Sequence, residues 1–206
     1  MTSLFSPYQL KDVTLRNRIV ASPMCQYQAV DGALNGWHKT HYETLAKGGA
    51  GLVVVEATSV NPEGRITPGD AGLWSDSQVA GFAEVVALIK NAGAVPGIQL
   101  GHAGRKAGCT PPWEGGHPLD VSDPQSWKPV SSSVLPYVPE SSYIPDELTH
   151  EGIRHIQADF TSAAARALGA GFEWLELHFA HGFLGQAFLS PKANIRTDEL
   201  DDHGRS

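Results

Sequence analysis

The stretch Leu52-Val53-Val54-Val55-Glu56-Ala57 and the residues that follow it decide the fold class. Its apolar run is rich in β-branched residues and does not alternate with polar ones, which is typical of a strand buried on both faces. A helix is predicted next, because Ser75 or Asp76 can cap its start and Gly93 can end it. The apolar stripe of this helix consists of Val79, Phe82, Val85, Val86 and Ile89. A second strand, Val95-Pro96-Gly97-Ile98, completes one strand, helix, strand unit of a parallel sheet.

The same alternation repeats on both sides of this unit. Upstream, Ile19-Val20-Ala21 predicts a strand, and a helix is expected from about Trp37 to Ala46. Downstream, a helix is expected from about Thr149 to Gly171, and residues 172–177 predict a fourth strand. The apolar stripe of the downstream helix is predicted to contain Ile153, Ile156, Phe160 and Leu168. Four strand and helix units are half of an eight-stranded barrel, so the predicted fold class is α/β, a half barrel of the TIM (β/α)8 barrel family.

One connection is much longer than the others. Eight of the 14 prolines of the chain lie between Pro111 and Pro145, within a segment from about 101 to 148. A loop of this length inside a compact domain is usually functional or disordered. On the catalytic face of a barrel it would act as a lid or contact the substrate, and a surface insertion without a role is the alternative. We therefore predict a single domain over residues 1–206, with a Pro-rich excursion at about 101–148.

Composition restricts the classes of function. A chain of 206 residues that is 41% hydrophobic and 18% charged can bury a sizeable core. A formal net charge of −7, without a Lys/Arg cluster, argues against nucleic acid or an anionic membrane as partner. The start lacks the pattern of a signal peptide, and no stretch approaches the roughly 18 apolar residues of a membrane span. Two cysteines, Cys25 and Cys109, are too few for a disulfide framework. We expect a soluble, cytoplasmic protein.

Two histidines, His178 and His181, follow the fourth predicted strand where it ends. The carboxyl ends of barrel strands carry the chemistry of α/β enzymes, so two ring donors there predict a cradle for a substrate oxygen or anion. An incidental pair is the simpler alternative. A metal-dependent barrel enzyme that uses both rings as ligands is a further hypothesis, although it needs a third ligand that the nearby sequence does not supply.

Other groups capable of chemistry follow the other predicted strands. These are Pro23-Met24-Cys25-Gln26-Tyr27, then Glu56-Ala57-Thr58, then 99–106, and finally 188–198 with Ser190-Pro191, Asn194 and Arg196-Thr197-Asp198. Together with His178 and His181 they resemble the Old Yellow Enzyme family of flavin ene-reductases, over about Leu15 to Asp198. Cys25 after Met24 is similar to the cysteine-containing branch, which includes bacterial xenobiotic reductases. The resemblance covers the N-terminal half of that barrel.

The resemblance implies FMN at the mouth of the barrel and NAD(P)H as the reductant. The cofactor-binding residues that it implies are Pro23, Met24, Cys25, Ala57, Gln99 and His178. The catalytic residues that it implies are Cys25 beside the flavin, and Tyr27, His178 and His181 around the carbonyl oxygen of an activated alkene. Donors aimed at that oxygen make the β-carbon electrophilic toward hydride. The alternatives are that Cys25 is a small buried hydrophobic residue and that Gln99 hydrogen-bonds loop backbone.

Two departures from the family bear on activity. The usual tyrosine proton donor, two residues after the second histidine, is Phe183, which has no proton to give. Relatives continue into a further half barrel, whereas this sequence stops at Ser206. We expect an NAD(P)H-dependent flavin oxidoreductase that reduces small α,β-unsaturated carbonyl compounds. The alternative is a catalytically impaired half barrel with a structural role, whose open strand edges favour a homo-oligomer.

Overall fold

The computed structural model of the protein describes residues 3–138 and 143–200. In chain order its elements are β1 (Tyr8–Leu10), β2 (Val13–Leu15), β3 (Val20–Ala21), α1 (Gly36–Lys47), β4 (Leu52–Ser59), α2 (Asp76–Asn91), β5 (Val95–Gly101), β6 (Val130–Ser131), β7 (Asp146–Glu147), α3 (His150–Ala170), β8 (Trp174–Leu177) and α4 (Leu184–Leu189). The strands β3, β4, β5 and β8 form one parallel sheet in that order. Each of them is followed by a helix, which confirms the four predicted units.

The main core lies between the sheet and the layer of helices. Val53, Val55 and Ile98 are fully buried and pack against the apolar face of α2. Fully burying a side chain of this size stabilises the fold by roughly 1.5 to 3 kcal/mol. The central strand β4 is buried along its whole length, as its unalternated sequence predicts. The edge strands differ from that prediction, because Val20 in β3 and Leu175 in β8 are 45% and 44% exposed and have a neighbouring strand on one side only.

The helix boundaries agree with their predicted caps. The Ser75 side chain accepts from the start of α2 in a capping box, and the Thr149 side chain accepts from Gly152 in α3. Gly171 ends α3 at a φ of 96°, a left-handed conformation that glycine adopts without strain. The predicted stripe of α3 is wrong at Leu168, which is 74% exposed. The buried residues of that helix are Ile156, as predicted, and the small side chains of Ala163, Ala167 and Ala170.

An N-terminal hairpin, which the strand predictions omitted, closes one end of the sheet. β1 and β2 pair antiparallel, and Leu15 packs with Leu52, Val54 and Trp174 on the face of the sheet opposite the main core. Leu52 is the first residue of β4. The hairpin therefore covers the amino-terminal end of the inner face, and the carboxyl end is left to the loops.

The Pro-rich excursion is folded onto the rest of the chain over its described residues. Its strands β6 and β7 pair with each other, and the Ser132 hydroxyl donates to the carbonyl oxygens of Ala187 and Ala193, both at 3.0 Å. The Arg196 guanidinium donates to the carbonyl oxygens of Ser132 and Leu148 at 3.1 and 2.7 Å. These bonds fasten the second part of the excursion, including its carboxyl end, to the segment around and after α4.

Arg16, at the end of the hairpin, connects three separate parts of the chain. Its guanidinium donates to the carbonyl oxygens of Ala46 at 2.6 Å, Ala50 at 2.9 Å and Ala92 at 2.8 Å. Ala46 lies in the last turn of α1, and Ala92 follows the end of α2. A cation is favourable at the carboxyl end of a helix, where carbonyl oxygens lack partners within the helix.

We therefore expect Arg16→Met to lower the free energy of unfolding by about 1.5 kcal/mol, the low end for hydrogen bonds to a charged group because this side chain is partly solvated. Urea unfolding followed by circular dichroism measures it. Arg18→Met is the matched control, since the Arg18 guanidinium stacks over the exposed Tyr8 ring at 4.8 Å, and its loss should cost about 0.5 kcal/mol or less. Equal losses for both variants would contradict the role of Arg16.

Candidate functional site

The predicted site residues meet at the carboxyl edge of the parallel sheet. Cys25, from the segment after β3, packs against a cluster formed by Ala57 of β4 and Phe183 before α4. Ala57 is the register partner of Gln99 in β5. His178 follows β8, and its backbone N–H donates to the carbonyl oxygen of Leu100 in β5 at 2.8 Å. The parallel pairing thus brings residues from all four strand ends to one place.

A β-bulge in β4 sets which side chains face this site. The register between β4 and β5 shifts between Val55 and Ala57, so that Glu56 is an extra residue. Strict alternation would place Ala57 on the helix-facing side with Val53 and Val55. The bulge reverses this order: Ala57 joins the cluster at Cys25, whereas Glu56 turns toward α1.

Cys25 and Tyr27 are neighbours that affect each other's ionisation. Burial, followed by the carboxylates of Asp70 and Glu56, raises the pKa of the Cys25 thiol to about 12. Burial and the neighbouring Cys25 raise the pKa of Tyr27. Both groups therefore keep their protons at neutral pH. Tyr27 adopts a φ of 54°, and its ring meets Trp113 of the excursion edge-on at 5.7 Å.

Asp70 is a site neighbour that sequence reasoning missed. Its buried carboxylate accepts from the backbone N–H groups of Ile66 at 2.6 Å and Thr67 at 3.1 Å, and from the Thr67 hydroxyl at 2.8 Å. Burial raises the pKa of Asp70 to about 7. No pattern in the sequence predicts this position, because Asp70 lies in the loop between β4 and α2, and the path of that loop is set by contacts with distant residues.

The two histidines lie side by side at the end of β8. Their ring centroids are 5.1 Å apart and the rings are nearly perpendicular. Burial, followed by the neighbouring His181, lowers the pKa of His178. The backbone N–H of Ala180 donates to Nδ1 of His178 at 3.4 Å, so the neutral ring carries its proton on Nε2. The His178 ring packs on the Phe183 ring with centroids 4.0 Å apart.

Lys106 and the excursion support the turn that carries His181. His181 has a φ of 53°, an uncommon conformation for a residue with a side chain. The Lys106 ammonium donates to its carbonyl oxygen at 2.9 Å and lies 4.7 Å from the centre of the Tyr137 ring. A Cβ atom on Gly182 would lie 2.7 Å from that ring. Glycine is therefore required at 182 while Tyr137 covers the turn.

The other predicted site residues, and the nearby His102, differ in burial and in hydrogen bonding. The Gln99 amide nitrogen donates to the Glu176 carboxylate of β8, a partner that sequence reasoning missed. Pro23 lies on the segment before Cys25, and Met24 beside it is 49% exposed. Nδ1 of the buried His102 accepts from the backbone of Gly104 at 3.0 Å, and burial lowers the pKa of His102 to about 4. His102 is thus a neutral residue of the loop core.

Within residues 3–138 and 143–200, no group of three or more His, Cys, Asp or Glu side chains is arranged to hold a metal ion. Across the same ranges, none of the helices combines the length and the apolar character that a bilayer crossing requires.

Known proteins that are similar in sequence to this chain include two kinds of oxidoreductase. The chain is 47% identical over 198 residues to an NADPH dehydrogenase of Bacillus velezensis, covering 95% of this chain and 54% of that protein. It is 40% identical over 200 residues to an NADH:flavin oxidoreductase of Gibberella zeae, covering 96% of this chain and 48% of that protein. The chain therefore spans about half the length of the curated relatives that it matches.

Solved structures show the same fold. Morphinone reductase superimposes with a TM-score of 0.84 at 29% identity, covering 97% of this chain and 54% of that one. An Old Yellow Enzyme from Pichia sp. AKU4542 gives 0.83 at 26% identity, covering 96% of this chain and 51% of that one. These likenesses confirm the predicted fold class, a half barrel of the TIM (β/α)8 family. Residues 3–204 match the family described as NADH:flavin oxidoreductase / NADH oxidase, and the chain belongs to that family.

Proposed function

We propose that this chain forms the catalytic half of an FMN-dependent NAD(P)H oxidoreductase that reduces the double bond of α,β-unsaturated carbonyl compounds. The observation that carries the proposal is the meeting of two pairs of polar side chains, Cys25 with Tyr27 and His178 with His181, at one edge of the sheet. Family membership over residues 3–204 supports a flavin. A structure of the similar morphinone reductase, in complex with tetrahydroNAD, supports a nicotinamide as reductant.

The side chains present suit a flavin ring. Cys25, Ala57 and Phe183 form an apolar, uncharged surface beside the strand ends, which fits a flat aromatic ring better than a charged group. The Gln99 amide offers both a donor and an acceptor, and the pyrimidine edge of a flavin presents the same two kinds of group. We propose that these residues, with Pro23, Met24 and His178, hold the FMN ring.

The donors at the site suit a carbonyl oxygen. FMN, when bound, would supply the hydride that reaches the β-carbon of the substrate. Nε2–H of His178 and the Tyr27 hydroxyl are neutral donors, and the exposed His181 ring stands beside His178. We propose that these three groups bind the substrate oxygen and stabilise the negative charge that develops on it. One such donor is typically worth about 3 kcal/mol.

Phe183 separates this site from a complete ene-reductase site. It is 5% exposed and packs into the cluster with Cys25 and Ala57. Its ring lies against His178 at 4.0 Å, close to where the substrate would bind. A phenyl ring cannot protonate the α-carbon, so we propose that this proton comes from solvent.

A structural role is the second candidate, and one observation favours it. Leu175 and Leu177 of the edge strand β8 are 44% and 49% exposed, and an exposed apolar strand edge is prone to pair with another chain. Light scattering that shows a colourless dimer, unable to take up FMN, would favour this role over the enzyme.

The direct test of the proposed function is a titration of the chain with FMN, followed by its visible spectrum. We expect the flavin bands to shift on binding, to bleach anaerobically with NADPH or NADH, and to return on addition of cyclohexenone. Bleaching that only oxygen reverses would exclude the enone as oxidant, and unchanged bands throughout the titration would exclude flavin binding.

The histidine pair makes a specific prediction. The double variant His178→Ala, His181→Ala should weaken binding of a phenol to the FMN-loaded chain by about 10²-fold or more, since each donor to an oxyanion is worth about 3 kcal/mol. The long-wavelength charge-transfer band of the bound phenolate measures this binding. His155→Ala is the control, because His155 is exposed on α3. Phenol binding that survives in the double variant would contradict the assignment.

The last prediction concerns a tyrosine at position 183. Phe183→Tyr should accelerate enone reduction by up to about 10²-fold, the low end for a positioned general acid. Flavin reduction by the nicotinamide should hardly change, because it needs no proton at an alkene carbon. Stopped-flow traces measure the two half-reactions separately, with Phe179→Tyr as a control that adds a hydroxyl to the ring facing Phe160. Equal enone rates in all three proteins would show that Phe183 does not limit protonation.

A further inference from the structure

We propose that Glu56 is a positioning residue: its buried carboxylate fixes the backbone at Gln26 and thereby holds Cys25 and Tyr27 in place. Oε2 of Glu56 accepts from the Gln26 N–H at 2.7 Å. Gln26 stands between the thiol and the phenol of the site described above. The functional meaning of this bond rests on the proposed function, whereas the bond itself does not.

The carboxylate is held rigidly from the side of α1. Glu56 is 0% exposed. Its Oε1 accepts from the Tyr42 hydroxyl at 3.0 Å, and the Tyr42 oxygen accepts in turn from the Glu56 backbone N–H at 3.0 Å. Nε2 of His38 lies 3.3 Å from the same Oε1. Nδ1 of His38 accepts from the Asn35 backbone N–H and also lies 3.2 Å from the Asn35 side-chain oxygen, which orients the ring.

The Gln26 side chain makes two further hydrogen bonds. Its side-chain nitrogen donates to the Met24 carbonyl oxygen at 2.7 Å, and its side-chain oxygen accepts from Nε1 of Trp37 in α1 at 3.0 Å. Tyr27 directly follows in its left-handed conformation, which costs free energy unless the surroundings impose it. The carboxylate bond at Gln26 supplies a fixed point next to this strained residue.

The bulge explains why a glutamate performs this task. Because Glu56 is the extra residue of β4, its side chain reaches the loop after β3 while the next residue, Ala57, faces the site. A buried carboxylate is costly unless all its oxygens are bonded. Here the Gln26 N–H and the Tyr42 hydroxyl donate to one oxygen each, and the His38 ring lies against the same carboxylate. The cost is therefore offset by bonds that also order the Cys25 to Tyr27 segment.

The test uses the flavin-free chain and two local readouts. Glu56→Gln keeps the size of the side chain but leaves one oxygen for two donors. We expect amide hydrogen exchange at Gln26, measured by NMR, to accelerate about tenfold or more, the loss that a bond to a charged acceptor represents. Alkylation of Cys25 by iodoacetamide, measured by peptide mass spectrometry, should accelerate as well, while alkylation of Cys109 should not.

Val53→Ala is the matched control. Val53 is a fully buried residue of the same strand on the helix side, so its truncation lowers global stability without touching the Gln26 bond. If Cys25 and Cys109 become reactive together in Glu56→Gln, as expected for Val53→Ala, the effect is global and the proposal is wrong.

Should Glu56→Gln fail to fold, amide hydrogen exchange of the parent chain is the test. A Gln26 amide that exchanges as fast as an exposed one overturns the proposal. Failure of FMN to bind would refute the proposed function and leave these results unaffected.

Discussion

The parallel pairing of β4 with β5 is the constraint on which the site depends. It is the longest pairing in the sheet, and it breaks once, at Glu56. Before the break, alternate residues of β4 fill the core against α2, and after it the strand presents Ala57 to the loops. A strand without the bulge would bury Ala57 under the helices and aim the glutamate at the barrel interior. One extra residue therefore separates the part of β4 that stabilises the fold from the part that shapes the site.

The side chains gathered at the strand ends are kept uncharged. Burial raises the pKa of Cys25 and Tyr27 and lowers that of His178, so each favours its neutral form. The carboxylates of Asp70 and Glu56 act on Cys25 in the same direction as burial. A thiolate is consequently disfavoured, which makes Cys25 a weak nucleophile at neutral pH. Neutral donors also avoid the desolvation cost of a buried charge.

Local sequence patterns were enough to predict the four strand and helix units, because apolar runs, helix caps and glycines can each be recognised within a few residues. It was also enough to bring Cys25, Tyr27, Gln99 and His178 to one edge, since parallel strands end on the same side. It failed where distant segments decide the outcome. Lys106 and Glu176 have partners 75 and 77 residues away in the sequence, which only folding brings together. Leu168 was misplaced because alanines, which carry a weak apolar signal, form the contact face of α3.

The contact between Tyr137 and Gly182 has a consequence for how such a protein can diversify. The Pro-rich excursion lies outside the sheet, and loops of this kind accept sequence change more readily than the strands beneath them. Tyr137, however, covers a glycine next to His181 and stands over the lysine that bonds the same turn. A smaller residue at 137 would relax the steric demand at 182, and a side chain at 182 would expel the ring. A side chain at 182 and the Tyr137 ring in this place therefore exclude each other, so a relative with a side chain at 182 must carry its excursion differently over this turn.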